Sequence, residues 1–376
     1  MRDKLIALRK ELHQHPELSL QESNTAARIS AFVKQSNPTK VISQLGGHGL
    51  AVCYEFGTAG PNIGIRCELD ALPILEENDF VYQSTNKGVS HKCGHDGHMA
   101  IVAGLSAWLG EQNLKQGKVT LLFQASEENG KGAAQMLQDD RFRQLDFDYL
   151  FALHNIPGEE LHKILVMDGG FSAEVISFSV SLTGKESHAA EPDKGLNPSA
   201  AIAKIISGLE GLNLSDPKHD DFAVLTPVHV SMGEKNYGIS PASGELHYTV
   251  RTWSTPKMEL LKQNIHKIIS DVCEEEGLGH TMDWFEYFPA AANETECNSI
   301  IRAAASTLNL KQVERPYPFK FGEDFGWFSK DYKTGMFGMG AGVNTPALHN
   351  KDYDFPDELI ETGMHVFKQI ILQILQ

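Results

Sequence analysis

Residues 49–168 alternate between runs of strand character and runs of helix character, an order that few architectures accept. "GLAVCYEF" and "NIGIRCEL" read as neighbouring strands around a "GTAGP" turn. "HMAIVAGLSAWLGEQ" and "KGAAQMLQD" read as helices, "KVTLLFQA" and "DYLFALH" as strands. Strand, helix, strand in succession predicts an α/β layer with largely parallel strands. Such sheets bind ligands in the crevice at the carboxyl ends of their strands. Polar residues stand at those ends: Asp70 after "GIRCEL", Glu127 and Glu128 after "TLLFQAS", and His154 at the close of "LFALH".

Near residue 170 the rhythm changes. "EVISFSVSLTG" predicts a strand, and "NPSAAIAKIISGLEGL" a helix with Asn197 as N-cap and Pro198 in its first turn. Two strands, a long helix and a last strand follow, the β-α-β-β-α-β order of a ferredoxin-like unit. Residues 171–288 are therefore expected as an inserted α+β domain. Residues 1–170 with 289–376 are expected as a discontinuous α/β domain.

The formal charge of −16 argues against nucleic acid as a partner, because phosphate backbones need clustered Lys and Arg. No run approaches the roughly 18 apolar residues of a membrane span, so no membrane partner is expected. "MRDKLIALRKELHQHPELS" has the charged, amphipathic pattern of a helix rather than a signal peptide. Cys53, Cys67, Cys93, Cys273 and Cys297 are odd in number and scattered, which suits a reducing cytoplasm and a thiolate free to serve as ligand.

"SHKCGHDGH", residues 90–98, crowds His91, Cys93, His95, Asp96 and His98 against the start of a helix. Thiolate, imidazole and carboxylate are zinc ligands; harder ions favour oxygen. Cys93 and His95 lie two apart with Gly94 between them. Glu127 and Glu128 suit two roles, one ligand and one free base, and His154 and His349 complete a five-ligand set. Cys93 could bridge two ions, an arrangement used in two-metal hydrolysis. Taken singly, each residue has a plainer reading: a buried Cys is usually a small hydrophobe, and paired glutamates usually mark a solvated turn. Their joint placement at strand ends favours the metal.

The chain resembles the metallo-amidohydrolases and peptidases that include hippurate hydrolase, aminobenzoyl-glutamate hydrolase and auxin-conjugate hydrolases, and more distantly carboxypeptidase G and aminoacylase. The resemblance rests on "LRKELHQHPELSLQESNTA", "GIRCELDALPI", "HKCGHDGHMAIVAGLS", "LLFQASEENGKGA", "ALHNIPG", "SHAAEPDKGLNP", "NYGISPASGELHYTVRT", "GEDFGWF" and "PALHNKDYDF". It implies a zinc-peptidase-like catalytic domain with a mixed, mostly parallel sheet, and an inserted domain that serves dimerisation. It also implies metal ligands Cys93, His95, Glu128, His154 and His349. Glu127 would be the general base that activates water, and Asp70 would orient a ligand. His188 would hold the oxyanion, often across a dimer, while Asn236 and Arg251 would contact substrate. The implied cofactor is a divalent metal, two ions per subunit, zinc or else manganese, cobalt or nickel. The implied reaction is cleavage of N-acyl amino acids or related small amides. A dipeptidase or carboxypeptidase on the same fold is the alternative, and a non-catalytic binding protein a more distant one.

Some positions depart from the family pattern. Glu68 stands where aspartate is usual, "NYGISP" replaces an Asn-Val-Ile-Pro form, and Asn129 and Lys131 enter a glycine-rich stretch. His13 and His15 read as structural. His91 and His98 flank the ligands, either supporting them or packing.

Overall fold

The computed structural model describes residues 1–376. The chain divides into two compact units. The first comprises Met1–Phe171, Ala291–Pro316 and Glu323–Gln376; the second comprises Ser172–Ala290 and Tyr317–Gly322. Linear order had placed residues 317–322 with the first.

The first unit opens with helices α1 (Arg2–Gln14) and α2 (Ser23–Val33) and strands β1 (Lys40–Leu45), β2 (Gly49–Glu55) and β3 (Thr58–Glu68). Helix α3 (His95–Leu109), β4 (Gln116–Gln124), α4 (Gly132–Gln138), α5 (Asp140–Arg143), β5 (Tyr149–Ile156), β6 (Ile164–Val166) and β7 (Gly169–Ser172) follow. The second unit contributes β8 (Glu174–Thr183), β9 (Ser187–His188), α6 (Ser199–Glu210), β10 (Ala223–Met232), β11 (Ile239–Ser240), β12 (Ser243–Thr252), α7 (Thr255–Glu276) and β13 (Gly279–Phe288). The chain then returns through β14 (Ala291–Asn293), α8 (Thr295–Thr307), β15 (Gln312–Glu314), β16 (Lys333–Gly340) and α9 (Leu359–Leu375).

The large sheet has the order β1-β2-β4-β3-β5-β16-β6-β15. Its centre, β4-β3-β5-β16, is parallel, while β1/β2, β2/β4 and β6/β16 are antiparallel. The sheet is mixed around a parallel middle. The expectation that β2 and β3 are neighbours fails, because β4 lies between them and pairs with both. The link is also shorter than expected: Thr58–Pro61 of "GTAGP" already belong to β3, and only Phe56 and Gly57 separate the two strands.

Helix α3 is buried along almost its whole length, with Met99, Ile101, Val102 and Leu105 in the core beside Ile63, Ile65, Val119 and Leu121 of the sheet. It packs against α1 and α9. An apolar helix of this kind is fixed in place by burial, at roughly 1.5–3 kcal/mol for each large side chain removed from water. Its amino end is therefore a rigid mount.

The second unit has a four-stranded antiparallel sheet, β10-β12-β8-β13, in the ferredoxin-like order, and a small antiparallel pair, β9 with β11. Alternate residues along β12 are buried, and Leu246, Tyr248 and Val250 share a core with Ile205 and Leu209 of α6 and Ile265 and Ile269 of α7. The expected cap shifts by one residue: α6 begins at Ser199 with Pro198 as its N-cap, and Asn197, one position earlier, accepts from the Ser199 N–H at 2.9 Å.

Candidate metal centre

His95 occupies the first turn of α3 and is buried. Its Nδ1 donates to the Asp70 carbonyl oxygen at 2.9 Å, which fixes the ring and leaves the Nε2 lone pair pointing away from that bond. Gly94, just before it, has φ +97, and a Cβ there would lie 2.4 Å from the Asn155 side chain. Only glycine suits both the left-handed backbone and that close approach.

The two glutamates follow β4 in a turn closed by the Gly130 N–H donating to the Glu127 carbonyl at 2.8 Å. Ser126 enters the turn at φ 58, left-handed for a residue with a side chain. Asp70, fully buried at the end of β3, accepts from the Glu128 N–H at 2.9 Å and from Ser19 Oγ at 2.7 Å. One aspartate thus supports His95 through its carbonyl and the glutamate turn through its carboxylate.

His154 sits near the end of β5. Its Nδ1 donates to the Asn155 carbonyl at 2.9 Å, and its Nε2 lies 3.5 Å from Cys93 Sγ. His349 lies in the segment after β16 at φ 66, and its N–H donates to the Lys92 carbonyl at 2.8 Å, which ties that segment to the residue before Cys93. His349 Nε2 is 3.9 Å from Glu128, and His95 Nε2 is 3.8 Å from both Glu127 and Glu128. Three groups result, each with its donor atoms within 4.8 Å of one another: Cys93–His95–His154, Cys93–Glu128–His349 and His95–Glu127–Glu128.

The electrostatics fit a cation. His95 Nε2 and Glu128 Oε1 are buried without a hydrogen-bond partner, and leaving such groups bare costs roughly 1–3 kcal/mol each. Burial, reinforced by Glu323, Glu128 and Asp324, holds Glu127 well above the usual carboxylate range. Burial likewise pushes Glu128 up to about 7, with His95 opposing and Asp70 adding to the rise. The Cys93 thiol is pushed well up by burial and by the glutamates around it. Burial alone would lower the His95 ring, but Asp70, Glu68 and Glu128 outweigh it and hold the ring at about 10. Acids crowded into a dry site hold their protons, and a divalent ion can take the place of those protons, releasing them as it binds.

Two further clusters are already satisfied. His98 has Nδ1 on Glu68 at 2.7 Å and Nε2 on Asn155 at 2.5 Å, so both ring nitrogens are already engaged. Glu323 and Asp324 surround the fully buried Arg66 at 3.0 and 2.7 Å, and Arg66 also pairs with Glu68. The Asp324 N–H lies 3.5 Å from Glu127. Sequence reasoning assigned no role to Arg66, Glu323 or Asp324. An arginine inside an apolar strand and the acid pair in "GEDF" were the available signals.

His188, Asn236 and Arg251 belong to the second unit. His188, on β9, is exposed and accepts from the Ala190 N–H at 3.0 Å. Asn236 is exposed and accepts from the Gly238 N–H at 3.2 Å. Arg251, on β12, donates to the Lys320 carbonyl at 2.7 Å, and burial lowers its pKa.

A mixed α/β sheet with Cys, His and Glu gathered at strand ends, joined to a ferredoxin-like unit, defines a class of metal-dependent hydrolases. The family model described as peptidase family M20/M25/M40 matches residues 64–373. The chain belongs to that family. N-acetyl-L-cysteine deacetylase of Bacillus subtilis is 32% identical over 330 residues, 86% of this chain and 77% of that protein. Hippurate hydrolase of Campylobacter jejuni is 28% identical over 375 residues, covering 98% of this chain and 96% of the relative. A solved structure from Bacillus subtilis, described as a dinuclear metal binding peptidase from the M20 family, superposes with TM-score 0.84 at 26% identity, over 100% of this chain and 98% of that one. The protein is thus a metal-dependent hydrolase of amide bonds.

Proposed function

We propose that the substrate is a small N-acyl amino acid or related conjugate, cleaved to a carboxylic acid and a free amino acid. The names of the deacetylase and hippurate hydrolase relatives support that class. The observation that carries the reading is a cluster of thiol, imidazole and carboxylate, buried at Cys93, His95 and His154 and open to solvent at His349, with one more carboxylate, Glu127, beside it.

Cys93, His95, Glu128, His154 and His349 would hold the metal. Membership of Cys93 in two of the groups supports a site for two ions, and the thiolate with imidazoles favours zinc over manganese, cobalt or nickel. When bound, the metal supplies Lewis acidity to the scissile carbonyl and makes water acidic enough to react near neutral pH. Glu127 takes a proton from the attacking water and passes it to the leaving nitrogen. Asp70 keeps His95 in the tautomer whose Nε2 is free and holds the Glu128 backbone in place. His188 would donate to the oxyanion, and Asn236 and Arg251 would bind the amide and carboxylate ends of the substrate, since the guanidinium fork matches a carboxylate.

We read the protein as a cytoplasmic homodimer or higher homo-oligomer. All five cysteines are free and buried, which supports a reducing compartment. The edge strand β10 exposes Val228, Val230 and Met232, which supports pairing with a second copy.

A panel of hippurate, several N-acetyl amino acids, aminobenzoyl-glutamate and dipeptides tests the substrate class. The highest kcat/KM is expected on an N-acyl amino acid. Dipeptides as the best substrates would overturn the assignment in favour of a dipeptidase.

A further inference from the structure

Glu22 is fully buried at the start of α2, yet its side chain does not cap that helix. Glu17 does so instead, accepting from the Thr25 N–H at 2.7 Å. The Glu22 carboxylate turns to a distant part of the chain: Oε1 accepts from the Ser126 N–H at 2.7 Å, from Ser126 Oγ at 3.3 Å and from the Leu20 N–H at 3.1 Å. The Leu20 N–H also donates to Ser126 Oγ at 2.9 Å. Leu20 and Ser126 both have left-handed backbones, φ 69 and 58. Residues with side chains persist there only when their surroundings over-determine them.

The same short segment reaches the other end of the glutamate turn. Ser19 Oγ donates to Asp70 Oδ2, which also receives the Glu128 N–H. Residues 17–22 thus bracket Ser126, Glu127 and Glu128, from one side through Glu22 and from the other through Ser19 and Asp70. Freed from Glu22, the Ser126 amide would lose its partner and its backbone could relax out of the left-handed region. The following peptide would rotate and carry Glu127 with it.

We infer that Glu22 is a positioning residue: by holding Ser126 left-handed, it aims the Glu127 and Glu128 carboxylates at the buried cluster. The inference rests on the roles proposed above for those two glutamates.

Two conservative variants separate reach from charge. Glu22→Asp keeps the charge but shortens the side chain by about 1.5 Å, too short to hold Ser126. Glu22→Gln loses the charge but keeps an accepting oxygen at full reach. Glu22→Asp is expected to lower kcat roughly 10²-fold, the scale for a misplaced reacting group, with KM and metal content little changed. It should also speed amide hydrogen exchange in the peptide covering residues 125–131 of the full-length protein. Glu22→Gln should recover most of the turnover and the protection. A wild-type kcat in Glu22→Asp, a Glu22→Gln that falls as far as Glu22→Asp, or metal loss in both overturns the inference. If the unmutated protein cleaves no amide on the panel, the substrate proposal fails on its own and exchange alone decides. Protection lost in Glu22→Asp and kept in Glu22→Gln then upholds the role of Glu22; equal protection in all three proteins overturns it.

Discussion

Glu127 and Glu128 are adjacent in the chain but stand in different surroundings. Glu128 is tied through its backbone to Asp70 and faces His95 and His349. Glu127 faces His95 on one side and the Asp324 amide on the other, with burial, and then Glu323, Glu128 and Asp324, holding its proton affinity high. That asymmetry suits one ligand and one base. Glu127→Gln should therefore lower kcat by roughly 10²–10⁴-fold, the range for losing a general base, while metal content stays near wild type. Metal lost with that substitution would exchange the two roles. Much of this cluster could be read in advance, because Cys93 and His95 share one short motif and Glu127, Glu128 and His154 stand at or just past strand ends, whereas His349 lies well beyond β16. The roles of Arg66, Asp324 and Glu22 were not assigned, since the partners that define them, Asp324 for Arg66 and Ser126 for Glu22, are far away in the chain. Arg66 and Asp324 are 258 positions apart, and Glu22 and Ser126 are 104.

Helix α1 reads in sequence as an ordinary amphipathic helix, yet it carries two buried cations toward the loop of Cys93 and His95. His13 has Nδ1 on Asp96 and Nε2 on Glu76, both at 2.8 Å, and Arg9 lies 3.3 Å from Asp96. Lys92 joins Glu76 at 2.6 Å. The loop carrying Cys93 and His95 is thus anchored from behind through its neighbours Lys92 and Asp96. Burial opposes charge on His13, but Asp96 and Glu76 outweigh it and hold the ring up to about 9, above its ordinary 6.5. The folded state then binds more protons than the unfolded state, so this stabilisation is complete below pH 6.5 and is lost as pH rises through about 9. Glu76 works in the other direction: burial would raise it, but His13 and Lys92 lower it from 4.5 to about 2, so its contribution disappears as pH falls through that range. The Tm difference between wild type and His13→Gln should accordingly shrink as pH rises from about 6 to about 10. A constant difference would mean that His13 contributes only packing. Strand β16 shows another limit of sequence reading. It pairs with β5 in the large sheet, yet Gly335, Gly338 and Gly340 give it little strand propensity. Its glycines answer to neighbours: a Cβ on Gly335 would meet Cys297 and Phe151, and one on Gly338 would meet Ile156. The placement of β4 between β2 and β3 was hidden for a related reason, since local periodicity records which face a strand buries but not which strand lies beside it.

Across the whole chain, an apolar framework holds charged groups that would be unstable alone. The helices and sheet of the first unit mount Cys93, His95, Glu127, Glu128 and His154 at strand and helix ends in a setting largely closed to water. The alternation of strands and helices was enough to predict that architecture, and the second unit's β-α-β-β-α-β order was enough to predict its sheet. Which amide the protein cleaves depends on loop contacts that no periodicity encodes. That the cleavage needs metal is the central claim, and it is tested most directly by measuring bound metal and amide hydrolysis on the same sample, as purified, after chelation and after adding back single divalent ions. Turnover should vanish with the metal and return with at least one ion. Undiminished turnover in metal-free protein would contradict the account.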